Sequence, residues 1–311
     1  MPLFRRGRRQ EEPSEPDGTL PLTAAQAQRF RALVRTAWAE AGREVTMYAG
    51  HVVDDEGTQF GLWNLAALCN AEAERDWPTV IRQHVRALSV PTPGIDNLTD
   101  DELRPMVRSR LVDRGSLPDT VWQPSAREFV GDLVESLCVD FPDHVMTPRE
   151  SEFTDRGGAL GPWLDAGRHN LHAELAATAL EHEEVTPPDG TGWFDVVMSE
   201  SVYTASFAIF LAEVLGRVGR HEQGRGVLVA VPFRHQIAFR VVDHETADLP
   251  LALQHLFQFA LAGYADAPGG ITPHVFWVRD GSWRQVTRLD GDQATIQVDE
   301  ELARLLGLAD G

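Results

Sequence analysis

The chain contains no lysine: all 28 of its basic residues are arginine. Schiff-base chemistry, pyridoxal-phosphate catalysis, a P-loop Gly-Lys and the phosphate-anchoring lysine of protein kinases all require a lysine amine, so each is excluded. Cysteine is almost as scarce. Cys69 and Cys138 form no CxxC pair and no disulfide framework in 311 residues. Each sits in apolar sequence, where cysteine behaves as a small buried hydrophobe, and a reducing cytoplasm fits best. No apolar run approaches the roughly 18 residues a membrane-spanning helix needs, so no membrane partner is expected. The N-terminal arginines Arg5, Arg6, Arg8 and Arg9 are not followed by an apolar segment, which argues against a secretory signal. Residues 1–20 read as a disordered polar tail.

Charge is heavily one-sided. Against 28 arginines stand 47 acidic residues, for a net charge of −19. Because the four tail arginines are clustered, the remainder is more negative still. Such a body repels nucleic-acid phosphates, and no basic stripe interrupts it, so nucleic acid is not an expected partner. With 43% hydrophobic residues, the chain can bury a core without disulfide or metal staples.

Periodicity gives a mixed pattern. Thr23 with Gln26 opens a helix whose apolar face is Phe30, Leu33, Val34, Ala37 and Trp38, ending at Gly42. Val45–Val53 and Thr58–Trp63 read as strands about a turn at Asp54–Gly57, followed by helices over Asn64–Ala73 and from Pro78 to Leu88. Ser89–Asn97 reads as a linker. Thr99 and Glu102 form a second capping pair, with Pro105 interrupting that helix. A strand is expected near Leu133–Asp140. Thr147, Pro148 and Glu150 then signal a helix start, with Thr147 as cap. A long helix is expected over Pro162–Glu183, strands at Trp193–Met198 and Val202–Ser206, and a short helix to Leu215. Gly216–Gly226 reads as a flexible surface loop. Val227–Val231 and Ile237–Val242 are almost wholly apolar, as central strands covered on both faces would be. Leu249–Tyr264 is an amphipathic helix, and His274–Thr287 is a hairpin turning on Asp280-Gly281. A last helix lies near Glu300–Leu308. Hairpins with helices between them imply an α+β fold of antiparallel or mixed sheets with helices packed on them. Two similar halves are compatible with this order, as domains over residues 21–158 and 159–311.

Several of these stretches resemble the YtpQ-like family of bacterial proteins. They are Asn170-Leu171, Tyr203–Ser206, Val227–Arg234, the helix after Asp243 and the Phe276-Trp277 hairpin, with a looser match at Leu62–Leu65 and Val80-Ile81. The resemblance implies a related fold in residues 160–290 and brings no assigned activity.

Catalytic and metal motifs are incomplete. His244-Glu245 is followed by Asp248 where a zincin needs its second histidine, and His221-Glu222 by Arg225. His169 and His172 share a helix face, with His182 further along the same helix, but the further ligands a metal needs do not accompany them. Gly224-Arg225-Gly226 precedes a strand instead of following one, and no nucleophile elbow occurs. Neither metal nor cofactor is therefore expected. A recognition surface is the better-supported feature. Arg234 and His235 lie at the tip between two apolar strands. In the Asp280-Gly281 hairpin the register pairs Val278 with Trp283 and Trp277 with Arg284. Phe276, Val278 and Trp283 then face the core, and Trp277 and Arg284 share the other face. There they could stack as a cation–π pair and anchor a partner, unless a helix layer covers the tryptophan. The candidate binding residues are Arg234, His235, Trp277 and Arg284. The expected function is a cytoplasmic protein-binding module of adaptor, immunity or chaperone type, with a hydrolase using dispersed His, Asp and Ser residues as the alternative.

Overall fold

The computed structural model describes residues 17–55, 57, 59–89, 95–117, 125–141, 145–188, 190–243, 247–267, 269–290 and 293–307. Most of the N-terminal tail, most of the Ser89–Asn97 linker and His244–Thr246 lie outside these residues. The chain divides into two units, one running to Pro91 and the other from Thr92. The boundary expected at 158–159 therefore falls inside the second unit.

In the first unit, helix α1 (Ala24–Glu40) starts as the sequence predicts. Thr23 Oγ1 accepts from the Gln26 amide at 3.3 Å, and Gln26 Oε1 accepts from the Thr23 amide at 3.1 Å. Phe30, Val34, Ala37 and Trp38 are buried with Trp77, Ile81 and Val85. Strands β1 (Val45–Met47), β2 (His51–Asp54) and β3 (Gln59–Gly61) pair antiparallel in that order. The single strand expected over Val45–Val53 is thus two. The chain reverses at Tyr48–Gly50, where the Tyr48 amide donates to the His51 carbonyl at 2.9 Å. Helices α2 (Trp63–Asn70) and α3 (Trp77–Ser89) complete the unit. The C-terminal end of the supposed tail is docked. Asp17 accepts from Arg31 Nη2 at 2.9 Å, and that guanidinium holds its carboxyl below the usual range. Leu20 and Leu22 are buried in the core, which corrects the expectation of disorder for residues 17–20.

The second unit carries two larger sheets. Helix α4 (Asp100–Leu103) has the expected Thr99–Glu102 capping box and passes into a 3-10 turn at Pro105. Strands β4 (Val107–Asp113), β5 (Ala126–Val130) and β6 (Leu133–Asp140) pair in the order β4-β6-β5, and β7 (Val145–Met146) adds to β6. Helix α5 (Glu150–Thr154) starts two residues later than predicted, with Arg149 as cap. Thr147 is diverted, its hydroxyl accepting from Arg110 Nη2. Helix α6 (Gly161–Ala177) packs on β4. The long helix expected to Glu183 stops there, and residues 181–185 form strand β8 (Glu181–Val185), pairing with β9 (Phe194–Met198). Cross-strand pairing overrides the helical propensity of this glutamate-rich stretch. The strand expected at Val202–Ser206 is a 3-10 turn over Thr204–Phe210. Ser199 and Thr204 hydroxyls lie 2.5 Å apart, and the Thr204 hydroxyl also donates to the Ser201 carbonyl at 2.7 Å. Such local side-chain bonds compete with strand formation.

Helix α7 (Leu211–Arg217) precedes β10 (Val227–Ala230) and β11 (Gln236–Val241), then come α8 (Leu249–Asp266), β12 (Val275–Arg279) and β13 (Ser282–Gln285). The six-stranded sheet runs β13-β12-β10-β11-β9-β8, antiparallel throughout. Val227, Val229, Ile237, Phe239 and Phe276 face a core with Leu171, Phe207 and Val214. Leu228, Ala230, Ala238, Val275 and Trp277 face the other, with Leu253, Leu256 and Ala260 of α8. Both faces are covered, which is why β10 and β11 read as unbroken apolar runs. A ribbon of β14 (Thr287–Asp290) and β15 (Gln293–Ile296) leads to α9 (Glu300–Leu305). The fold is α+β with open antiparallel sheets.

Candidate functional site

The four residues singled out in the sequence fall into two places. Val227 pairs with Val278 at one end of β10, whereas Arg234 and His235 follow its other end. The structure therefore does not bring the tip and the hairpin face together.

At the hairpin the expected register holds, with Val278 opposite Trp283 and Trp277 opposite Arg284. Trp277 is only 2% exposed, covered by residues of α8 and α9. Its indole Nε1 donates to the Arg225 carbonyl at 3.0 Å. It is core, not an accessible anchor. Arg284 remains exposed and lies over the indole, its Cζ 5.2 Å from the ring centroid. A cleft of about 400 Å³ opens here, lined by Trp277, Arg279, Asp280, Ser282, Arg284 and Glu301. Its guanidiniums are already neutralised from α9 and the residue before it: Arg279 pairs with Glu301, and Arg284 with Asp299. Spent charges of this kind clasp α9 to the hairpin.

The tip is built differently. Four backbone hydrogen bonds fix it: Gln236 N to Phe233 O (3.1 Å), Arg234 N to Gly269 O (3.1 Å), Ala205 N to Arg234 O (3.0 Å) and Ile271 N to Pro232 O (2.8 Å). Gly269 has φ +79°, and a Cβ there would sit 2.8 Å from Arg234 Cδ, so the close approach requires glycine. Arg234 Nε donates to His235 Nε2 at 3.2 Å, and His235 Nδ1 meets the Ser199 carbonyl at 3.3 Å. Both contacts are satisfied together when the imidazole is neutral with its proton on Nδ1.

A second guanidinium approaches from β4. The amide of Ala205 holds the Arg234 carbonyl, and the next residue, Ser206, accepts from the Leu111 amide at 3.0 Å through its hydroxyl. Two adjacent residues thus tie the tip to β4 beside Arg110. Arg110 donates Nη2 to Thr147, while its Nε is buried without a hydrogen-bond partner. Burial pushes the Arg234 guanidinium below its ordinary pKa, and the like charge of Arg110 pushes it the same way. Tyr203 and Cys138 lie close by, 3.6 Å apart. Burial raises the pKa of both, with Arg110 opposing. The nearby carboxylates serve other groups. Glu174 pairs with Arg108 at 3.3 Å and accepts from Ser201 at 2.5 Å, and Asp140, raised by burial, feels Arg108 and hydrogen-bonds Tyr203. Among the described residues, neither Arg110 nor Arg234 has a carboxylate partner. Arg110 was not singled out in the sequence. Its signal was the alternation Val107-Arg108-Ser109-Arg110-Leu111, which marks a strand with both arginines on one face.

The histidines do not converge. His169 and His172 are on α6 and His182 is on β8. His172 meets Glu213 at 2.6 Å and His182 meets Asp195 at 2.7 Å, and among the described residues no serine hydroxyl or thiol is hydrogen-bonded to either ring. Asp248 pairs with Arg240 at 3.2 Å. Among the described residues no group of three or more His, Cys, Asp and Glu side chains is placed to hold a metal ion, and no helix is long and apolar enough to cross a membrane. No family model, curated protein or solved structure matches the chain.

Proposed function

We propose that this chain is a cytoplasmic protein-binding module, of adaptor, immunity or chaperone type, whose recognition point is the tip carrying Arg234 and His235. The observation that carries the reading is Arg234 itself. Its backbone is clamped on both sides, its side chain is packed against Gly269, and among the described residues its positive charge meets no carboxylate. A rigidly held and uncompensated guanidinium costs stability, and recognition is a role for which such a cost is retained. Two free, buried cysteines support the reducing compartment. The test is capture from the host cell with tagged full-length protein, wild type against Arg234→Gln. A defined partner should be recovered with the wild type and depleted at least several-fold with the variant, whose thermal midpoint should be no lower than that of the wild type. Recovery of the same proteins at equal yield would remove the tip from recognition.

A further inference from the structure

Arg110 of β4 and Arg234 of the tip flank the Ala205–Ser206 link, near enough for the charge of Arg110 to lower the pKa of Arg234, and each residue keeps part of its surface in solvent. Like charges repel, and a half-buried pair does so in a medium that screens them poorly. Elsewhere the protein neutralises guanidiniums held near its interior: Arg240 meets Asp248, and Arg168 meets Glu135. Here the carboxylates of Glu174 and Asp140 are drawn to Arg108, Tyr203 and Ser201, and among the described residues neither Arg110 nor Arg234 has a carboxylate partner. Among the described residues Arg110 Nε is a buried donor without a hydrogen-bond partner, so the solvent-facing nitrogens are the ones open to a ligand. An anion seated against both guanidiniums would offset both charges at once. A carboxylate carries one negative charge and would leave one arginine uncompensated. A phosphate monoester carries close to two at neutral pH, with three acceptor oxygens for two forked donors.

We propose that Arg110 and Arg234 form a receptor for a single phosphate monoester group. This rests on the reading of the tip as a recognition point and gives that point its ligand chemistry. The group can be carried by a phosphorylated side chain of the partner or by a free phosphorylated small molecule. Both present the same oxyanion.

The experiment is a ³¹P NMR titration of full-length protein with inorganic phosphate and with N-acetyl-O-phosphoserine amide, at constant ionic strength, and an acetate titration followed by protein NMR. Saturable binding of both phosphates is expected, with acetate at least tenfold weaker. Arg110→Gln and Arg234→Gln should each weaken phosphate binding at least tenfold. Arg110→Lys and Arg234→Lys keep the charge but lose the fork. They should fall between wild type and the glutamine variants, and they carry the test if a glutamine variant fails to fold. The proposal is overturned by absent saturable binding in the wild type, by equal binding in the arginine variants, or by acetate binding as tightly as phosphate. Its fate is separable from that of the tip. Partner capture that needs Arg234 without any phosphate affinity keeps the tip and removes the oxyanion. Phosphate affinity that needs both arginines, with capture unaffected by Arg234→Gln, keeps the oxyanion site, assigns it to a free phosphorylated molecule and removes the tip as protein-binding point.

Discussion

Trp277 separates a core role from a recognition role by energy alone. It is 2% exposed and shares a cluster with Leu228, Leu253, Leu302 and Leu306. Truncation to alanine removes a buried aromatic and leaves a cavity beneath α8 and α9, at a cost of about 3–5 kcal/mol. It also strips the Arg225 carbonyl of its donor, adding about 1 kcal/mol. For a unit of this size the thermal midpoint should fall on the order of 10 °C. Arg284→Ala is the matched control. That side chain is 51% exposed, and its stacking and ion pair together are worth only about 1 kcal/mol or less. Urea unfolding of both variants measures the difference. A Trp277→Ala loss below about 1 kcal/mol, or a loss equal to that of Arg284→Ala, would refute the placement of the indole in the core.

Three further outcomes follow from local geometry. Gly226 has φ +88° and a Cβ there would meet Trp277 Nε1 and lie 2.7 Å from the Val278 carbonyl oxygen, so Gly226→Ala should cost more than about 2 kcal/mol by urea unfolding, and should remain costly in a Trp277→Ala background because the backbone contact and the left-handed conformation persist. Leu20 is buried, so Leu20→Ala should cost about 2 kcal/mol or more by calorimetry, where a frayed tail residue would cost nothing measurable. Burial raises Glu135, but hydrogen bonds from Arg168 and Arg127 outweigh it and hold its carboxyl below the ordinary value of 4.5. A depressed carboxyl stabilises the fold above its unfolded pKa and loses that contribution as pH falls through the folded one. Glu135→Gln should therefore cost about 2–4 kcal/mol at pH 7 and reduce the loss of stability below pH 4.5, read from urea midpoints across pH.

The parts of the fold legible in the sequence are those whose cause is local. Thr23 with Gln26 and Thr99 with Glu102 close their capping boxes within four residues, and Asp280-Gly281 sets its hairpin register with no help from elsewhere. Where a distant partner decides, local reading fails. Residues 181–185 carry glutamates that favour helix, yet β9 offers a ladder and takes them as a strand. Thr147 has the right neighbours for a cap, yet Arg110, 37 residues away, claims its hydroxyl and the helix starts later. The burial of Trp277 had the same origin, since a hairpin pattern assigns a side chain to a face and cannot say what lies above that face.

The same division governs the candidate site. Arg234 and His235 stood out because a tip between two apolar strands is a local feature. Arg110 did not, because its importance depends on having no carboxylate partner among the described residues, which no local pattern can show. Composition points the other way: with 47 acidic residues to 28 arginines, each guanidinium has more than one carboxylate available to it. Topology overrules that average at one place. Arg108, two residues before Arg110 on β4, pairs with Glu174 at 3.3 Å, while Ala205 and Ser206 tie the Arg234 carbonyl and the Leu111 amide to one stretch of chain, and among the described residues no carboxylate is bonded to Arg110 or Arg234. In a protein of net charge −19, leaving two half-buried cations that feel each other's charge without a carboxylate partner among the described residues is an expense that folding alone does not require. An arriving anion of two negative charges would relieve it, which is the role proposed for a phosphate at this place.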